Sequence, residues 1–210
     1  MSKDARTEDV DRRFVPFNSF KSLIYADRLD AIVKNDFKPP VTVEIDPTFQ
    51  CNQKCTWCIV RRYFKDETIF MPTALMKQLI GDLADHGVSA ALFVGGGEPL
   101  MHADIPEVFR FVKKRGMDCA LVTNGSLLTH EKCDIIAETC TYIRISLDAG
   151  SPKTYAKLHR TTVDVFPRII DEIRYLSSLK KGTLTIGVAF LIHPDNLGEI
   201  VAATELVKTA

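Results

Sequence analysis

The sequence has 210 residues, of which 46% are apolar and 26% are charged, and its 27 basic residues balance its 27 acidic ones. This balance gives no electrostatic reason to expect nucleic acid or an anionic membrane surface as a partner. No apolar run approaches the ~18 residues that span a bilayer, and the polar start of the chain lacks the pattern of an export signal. We therefore expect a cytoplasmic protein, with no membrane association, whose cysteines stay reduced.

The first forty residues predict an N-terminal helical extension, which we treat as a separate region (1–40). Apolar side chains recur at helical spacing between Phe17 and Val33, and Pro39-Pro40 ends the pattern. The next segment alternates apolar and polar residues from Val41 to Asp46. This alternation predicts the first β-strand.

Helix and strand patterns then alternate along the chain. The predicted segments after the first strand are a helix at 72–86, a strand at 90–94, a helix at 104–116, a strand at 119–123, a helix capped by Thr129 up to 139, a strand at 142–147, a short helix from 151, a helix at 166–179, a strand at 184–192 and a helix at 197–208 capped by Asp195 or Asn196. Strands separated by helices form a parallel sheet through right-handed crossovers. Residues 41–210 thus predict an α/β fold, a partial (β/α) barrel of about five βα units. A closed eight-stranded barrel needs about three more units, so we expect an open barrel and a chain truncated from a longer protein.

A cysteine cluster follows the first strand. It reads Cys51-Asn-Gln-Lys-Cys55-Thr-Trp-Cys58, so that three thiols lie in one short loop. Thiolates at such spacing converge on one inorganic group, and they suit an iron–sulfur cluster. Structural zinc normally takes four protein ligands, and no fourth Cys or His stands at finger spacing here. The spacing therefore favours a cluster with one open iron.

Two alternatives for this loop stay open, namely a zinc site with a distant fourth ligand and a redox-active pair of Cys55 and Cys58. The redox pair usually precedes a helix directly, whereas here the sequence predicts a loop that continues through residues 59–62. The other cysteines are scattered, and we expect them to be small buried side chains. They are Cys119, Cys133 and Cys140.

The Cys-x3-Cys-x2-Cys motif after a first strand resembles the signature of the radical S-adenosylmethionine (SAM) enzymes, and the resemblance covers residues 41–192. It implies that Cys51, Cys55 and Cys58 hold three irons of a [4Fe–4S] cluster, with the fourth iron bound by SAM. In that family an electron from the cluster cleaves SAM to methionine and a 5′-deoxyadenosyl radical, which takes a hydrogen atom from the substrate. The resemblance implies an enzyme with an organic or peptide substrate and a reducing partner such as flavodoxin or ferredoxin. Trp57 matches the family's aromatic residue near the adenine.

A glycine-rich turn follows the second strand. It comprises Gly95, Gly96, Gly97 and Glu98 and is similar to the family's Gly-Gly-Glu element, which binds the SAM amino group. A phosphate loop is excluded because the GxxxxGK[ST] pattern is absent. Asn124 follows the third strand, where an Asn-Gly pair also signals an ordinary turn. A solvated Glu98 and a purely structural Asn124 are the alternatives.

The fourth strand ends in Ser146 and Asp148, which alternation places on one side of the chain. They are similar to the family's ribose element, although Asp148 also suits a helix cap. The resemblance implies that Arg160 contacts the SAM carboxylate or ribose, against the alternative of a surface arginine. Val188 or Phe190 on the fifth strand would flank the adenine, although such strands are apolar in any parallel sheet.

All these residues follow the carboxyl ends of strands, where α/β folds bind ligands. Two other function classes fit the same residues. One is a non-catalytic zinc- or iron–sulfur-binding module, and the other is an electron-transfer protein that does not cleave SAM. The sequence leaves the substrate open.

Overall fold

The computed structural model describes residues 25–63, 69–179 and 184–210, and the chain divides into two compact units with a boundary between Pro39 and Pro40. In the first unit, helix α1 (Ala26–Val33) lies within the segment that the sequence predicts as helical. The helix ends where Asn35 adopts a left-handed conformation with φ of 54°. The predicted helical segment before residue 25 lies outside the described residues.

The second unit, within the described residues, contains one sheet of five strands in the order β1-β2-β3-β4-β5. The strands are β1 (Thr42–Ile45), β2 (Ala90–Phe93), β3 (Asp118–Thr123), β4 (Tyr142–Ser146) and β5 (Thr185–Ala189). The α-helices are α2 (Ile59–Tyr63), α3 (Thr73–Asp85), α4 (Ile105–Lys114), α5 (His130–Thr139), α6 (Pro152–His159), α7 (Val165–Leu179) and α8 (Ile200–Lys208). Every strand pairs in parallel with its sequence neighbour, and β1 and β5 form the two edges of the sheet. This confirms the predicted α/β fold, an open partial barrel of five βα units.

The main core lies between the sheet and its helices. Alternate strand residues such as Phe93, Leu121 and Ile143 are fully buried there. Helix α4 presents four buried apolar side chains at helical spacing, namely Ile105, Val108, Phe109 and Val112. The intervening strand residues face the opposite side of the sheet. This second, inner face is the one that carries the site described below.

Two further local predictions are confirmed, one for a helix cap and one for the scattered cysteines. The Thr129 hydroxyl accepts from the Lys132 amide at 3.3 Å and so caps α5. Cys119, Cys133 and Cys140 are buried, as expected for small apolar side chains. None of the described helices is long and apolar enough to cross a membrane.

At the end of the chain one local prediction is wrong and another is confirmed in position only. Strand β5 ends at Ala189 and not at residue 192, because the Leu191 amide donates to the Asp148 carboxylate at 2.6 Å. Asn196 occupies the N-cap position of the last helical segment, as predicted, but its side chain does not bond to the backbone of that segment. Its amide nitrogen instead donates to the carbonyls of Asp148 and Leu191, both at 2.8 Å. Asn196 therefore links the chain that follows β4 to the chain that follows β5.

Candidate cofactor-binding site

An open cleft of about 600 Å³ lies at the carboxyl ends of the strands, on the inner face of the sheet. The cysteine loop and the ends of β2 to β5 supply its walls. The predicted site residues that line it are Cys51, Cys55, Trp57, Cys58, Gly95, Gly96, Gly97, Glu98, Asn124, Ser146 and Asp148. The fold thus brings together residues that are spread over about a hundred positions of the sequence.

Two predicted residues do not line this cleft. Arg160 ends α6 in a left-handed conformation, with φ of 51°, and its side chain is exposed. Val188 lines a second pocket with Ile200 and Ala203 of α8, on the helix side of the sheet, whereas Phe190, the alternative to Val188, lines both this pocket and the cleft. Strand pairing explains this placement, because Ser146 pairs with Ala189 and both face the cleft, which turns Val188 away.

The cysteine loop is anchored on the end of α6. The backbone amides of Lys54 and Thr56, on either side of Cys55, donate to the carbonyls of His159 at 3.1 Å and Leu158 at 2.9 Å. The Cys58 amide donates to the Cys55 carbonyl at 3.2 Å, which closes a tight turn between the two thiols. The loop is therefore held by hydrogen bonds along its length.

The segment after Cys58 is helical, contrary to the sequence prediction. Helix α2 begins at Ile59, and the Arg61 amide lies 3.4 Å from Cys58 Sγ, to which it donates. Donation to Cys58 replaces a missing intrahelical partner at this helix start. The absence of a helix is thus no longer a reason to disfavour a redox pair of Cys55 and Cys58.

The three loop cysteines are free thiols, with Cys51 exposed and the other two partly buried. Burial raises the pKa of the Cys55 thiol to about 12 and also raises the pKa of Cys51 above its ordinary value. A metal would have to displace these protons, because thiolates and not thiols bind metals. Within the described residues, no three His, Cys, Asp or Glu side chains lie close enough together to hold a single metal ion.

The glycine turn packs directly on the chain that enters the cysteine loop. The amides of Gly97 and Glu98 donate to the carbonyls of Thr48 and Gln50, both at 2.9 Å. A Cβ atom on Gly97 would lie 2.1 Å from the Gln50 carbonyl oxygen, so a larger residue does not fit there. The glycine at this position permits the close backbone approach that the sequence predicts.

Glu98 is buried beneath the turn and is only 2% exposed, so the alternative of a solvated side chain is wrong. Its Oε1 accepts from the Leu100 amide at 3.0 Å and from the Thr123 hydroxyl at 2.6 Å. Its Oε2 accepts from the Asn124 amide at 2.8 Å. Burial raises the pKa of this carboxyl, while the three donors oppose that rise.

Asn124 connects the end of β3 to the cysteine loop. Its side-chain nitrogen donates to Asn52 Oδ1 at 3.0 Å and lies 3.9 Å from Cys51 Sγ. Its side-chain oxygen accepts from the amide and the hydroxyl of Ser126. Asn124 thus stabilises its own turn and also contacts the cysteine loop.

Asp148 has a left-handed backbone with φ of 53° and a carboxylate that is buried at the cleft wall. Its Oδ1 accepts from Leu191, and its Oδ2 lies 3.5 Å from His159 Nε2. Burial raises the pKa of Asp148 to about 6 and lowers the pKa of His159 to about 4. Both changes have one cause, which is the loss of water around a charged form.

A buried polar network below Cys55 is not predicted by any pattern in the sequence. His159, Gln53 and Tyr155 form it, and all three side chains are almost fully buried. Gln53 is about a hundred positions from the other two residues, so no local spacing could reveal the contact.

Arg144 is a cleft residue that the sequence analysis does not predict, although the sequence contains a signal for it. Arg144 lies on β4 between the buried Ile143 and Ile145, and so it faces the same way as Ser146. It lines the cleft, and among the described residues it forms no hydrogen bond or ion pair through its side chain. A charged residue within an apolar strand, two positions before a predicted site residue, is a readable signal.

The chain is similar to known proteins over most of its length. Residues 45–207 match the family model of the radical SAM superfamily. The Fe-coproporphyrin III synthase of Methanosarcina barkeri is 31% identical over 172 residues, which cover 81% of this chain and 41% of that protein. A probable GTP 3′,8-cyclase of Saccharolobus islandicus is 28% identical over 170 residues, which cover 80% of this chain and 53% of that protein. The chain thus spans about half the length of these curated relatives.

Solved structures show the same fold. Streptococcus suis SuiB bound to S-adenosylmethionine superposes with a TM-score of 0.69 at 19% identity, covering 89% of this chain and 43% of that one. The anSMEcpe structure with bound AdoMet and the Kp18Cys peptide gives a TM-score of 0.64 at 15% identity, covering 81% of this chain and 49% of that one.

Proposed function

The chain belongs to the radical SAM superfamily, and from this premise we propose that its cleft binds a [4Fe–4S] cluster and SAM and that the protein cleaves SAM reductively to act on an organic or peptide substrate. One observation carries the proposal. Three free cysteines, a close-packed glycine turn and the polar end of β4 line the same cleft. These are the donor types that an iron–sulfur cluster and a polar nucleoside need.

Cys51, Cys55 and Cys58 would hold the cluster. Their thiols suit iron, and a cluster is wider than a single ion, so its ligands need not converge on one point. Once bound, the cluster would supply one electron that cleaves SAM to methionine and a 5′-deoxyadenosyl radical, which removes a hydrogen atom from the substrate. The hydrogen bonds that anchor Lys54 and Thr56 keep the loop in place for this role.

SAM would bind along the strand ends. Since the Glu98 carboxylate already accepts three hydrogen bonds, two of them from the end of β3, we assign the SAM amino group chiefly to the backbone carbonyls of the glycine turn. Ser146 and Asp148 would bind the ribose hydroxyls. Trp57 lines the same cleft and would pack near the adenine.

The SAM carboxylate is assigned to Arg144 and not to Arg160. Both side chains are exposed, but only Arg144 lines the cleft. A guanidinium binds a carboxylate with two parallel hydrogen bonds, and that of Arg144 has no partner among the described residues.

The partners belong to the same proposal. The named relatives are a porphyrin synthase and a GTP cyclase, and one neighbour was solved with a peptide, so their substrates differ widely. We therefore propose an organic or peptide substrate without choosing between them, a reducing partner such as flavodoxin or ferredoxin, and a cytoplasmic location.

Anaerobic reconstitution with iron and sulfide tests the function. We expect about four irons per chain and formation of 5′-deoxyadenosine when SAM and a strong reductant are added. Alanine substitution of Cys51, Cys55 or Cys58 should abolish both, whereas Cys133→Ala, at a buried cysteine outside the cleft, should abolish neither.

Each alternative has its own outcome in this experiment. One zinc per chain and no iron would contradict the proposal and favour a zinc module. Iron without deoxyadenosine would favour an electron-transfer protein. A reversible Cys55–Cys58 disulfide in metal-free protein that takes up no iron would favour the redox pair.

A further inference from the structure

A histidine lies directly beside one proposed cluster ligand. His159, the last residue of α6, is 1% exposed. Its Nδ1 lies 3.2 Å from Cys55 Sγ and 3.0 Å from Gln53 Oε1. A single imidazole nitrogen, Nδ1, is therefore close to both a thiol and an amide oxygen.

The surrounding network determines which nitrogen carries the proton. Gln53 Nε2 donates to the Tyr155 hydroxyl at 2.8 Å, which leaves Gln53 Oε1 as an acceptor toward the imidazole. Cys55 bound to iron is a thiolate and is also an acceptor. Since both neighbours of Nδ1 accept, this assignment from the hydrogen-bond network places the proton on Nδ1.

The ring is held in this position from several sides. The Tyr155 ring stacks on it with centroids 4.1 Å apart, and the Trp57 ring meets it edge-on at 5.4 Å. Backbone hydrogen bonds on both sides of Cys55 tie the cysteine to the same turn of α6. The donor and the sulfur are thus fixed relative to each other.

The other side of the ring faces the proposed ribose element. Nε2 lies 3.5 Å from Asp148 Oδ2 and, among the described residues, it is a buried polar atom with no hydrogen-bond partner. A single side chain therefore stands between a proposed cluster ligand and a proposed SAM contact. With the proton on Nδ1, Nε2 presents a lone pair and cannot donate to Asp148, so the hydrogen bond that His159 supplies goes to Cys55.

We propose that His159 is a positioning residue that donates its Nδ1–H to the Cys55 thiolate of the cluster and thereby raises the cluster's reduction potential. The inference rests on the proposed function, because it requires the cluster on Cys55. A hydrogen bond to a cluster sulfur stabilises the extra negative charge of the reduced state, and such bonds tune iron–sulfur potentials.

The experiment is an EPR-monitored redox titration of the reconstituted protein without SAM. His159→Phe keeps a ring in the site and removes the donor. We expect the ratio of reduced to oxidised cluster at a fixed potential to fall about threefold, which is a shift of about 30 mV at 59 mV per tenfold change. His159→Gln, which retains an N–H donor, should restore part of the loss.

His193→Phe is the matched control. His193 also contacts the Trp57 ring, with centroids 5.9 Å apart, but its imidazole nitrogen accepts from the Asp195 amide and forms no hydrogen bond with a cysteine among the described residues. Its substitution should leave the potential unchanged. An equal shift in both variants would assign the effect to packing around Trp57 and overturn the proposal.

A second readout uses the unsubstituted protein. Labelling with ¹⁵N-histidine should give a hyperfine coupling to the reduced cluster in pulsed EPR, and His159→Phe should remove it. An unchanged potential in His159→Phe, or no coupling in the labelled protein, overturns the role of His159 even if the cluster forms and cleaves SAM. Failure of the unsubstituted protein to form a cluster would instead overturn the proposed function. If His159→Phe fails to load iron, the coupling in the unsubstituted protein and the potential of His159→Gln decide the matter.

Discussion

Two buried carboxylates, Glu98 after β2 and Asp148 after β4, line the same cleft and are 2% and 3% exposed. Glu98 accepts three hydrogen bonds from Leu100, Thr123 and Asn124. Asp148 is bonded through Oδ1 alone among the described residues, while its Oδ2 faces His159 at 3.5 Å. Both carboxylates are buried, but the protein supplies hydrogen-bond donors to both oxygens of Glu98 and to only one oxygen of Asp148 among the described residues.

This difference divides the strand ends into two sides. On the β2–β3 side, the protein completes its own hydrogen bonds, and the glycine turn, Glu98 and Asn124 form a rigid wall. On the β4–β5 side, an acidic oxygen and the Arg144 guanidinium keep unused hydrogen-bonding capacity. Asp148 is buried with one oxygen unbonded among the described residues, and Arg144 is exposed at the cleft, so this second side can still form hydrogen bonds with a bound ligand. Substitutions on the first side should affect stability, and those on the second should affect binding.

The largest effect is expected for Gly97→Ala. The new Cβ would lie 2.1 Å from the backbone oxygen of Gln50, which cannot move without displacing the cysteine loop. We expect a loss of about 3 kcal/mol in the free energy of unfolding, the cost typical of severe overpacking. Urea unfolding of the metal-free protein measures it. Gly95→Ala, whose Cβ would have nearest contacts at 3.4 Å, is the matched control and should lose less than about 1 kcal/mol.

The two carboxylates can be compared directly with Glu98→Gln and Asp148→Asn. In Glu98→Gln the new amide nitrogen would face the Asn124 N–H, donor against donor, so we expect a loss of about 2 kcal/mol in the free energy of unfolding. Asp148→Asn keeps the acceptor for Leu191 and should lose less than about 1 kcal/mol. Its affinity for SAM should instead fall about tenfold, because the amide nitrogen no longer accepts from a ribose hydroxyl.

Chemical denaturation and isothermal titration of the reconstituted protein with SAM separate these effects. If Asp148→Asn unfolds as easily as Glu98→Gln while binding SAM normally, the division between the two sides is wrong.

Two arginines test where the cation of the site lies. Arg144→Gln removes the charge inside the cleft, and we expect the Kd for SAM to rise about tenfold, or ~1.4 kcal/mol. Arg160→Gln removes an exposed charge outside the cleft and should change the Kd less than about twofold. The same titration calorimetry measures both. The reverse order of effects would return the SAM carboxylate to Arg160.

Local patterns predicted much of this fold. The alternation in residues 41–46 gave β1, and Thr129 gave the start of α5 with its cap. The glycine-rich turn after β2 was predicted from the run of three glycines, and Gly97 in it does approach Gln50 closely. Each of these features depends on residues that are neighbours in the chain or on a motif with its own conformational demand.

The support beneath Cys55 could not be predicted in this way. Gln53 and His159 are 106 positions apart, and only the packing of α6 against the cysteine loop brings them together. The helix after Cys58 was also missed, because a five-residue helix shows too little periodicity to recognise. Strand β5 shows a third cause, since a uniformly apolar strand does not reveal which of its faces is turned to the cleft.

The smallest effect concerns that last ambiguity. Val188 is partly buried against α8, so Val188→Ala should cost about 1 kcal/mol in the free energy of unfolding and leave SAM affinity unchanged. Ala189→Val, one position along, would add two methyl groups to the cleft wall and should weaken SAM binding about threefold, because these groups would take up space that the ligand uses. The pair is measured by urea unfolding and by titration with SAM. Because a shift of one residue turns every side chain of a strand to its other face, the opposite pattern would mean that β5 pairs with β4 in a different register from Ser146 with Ala189.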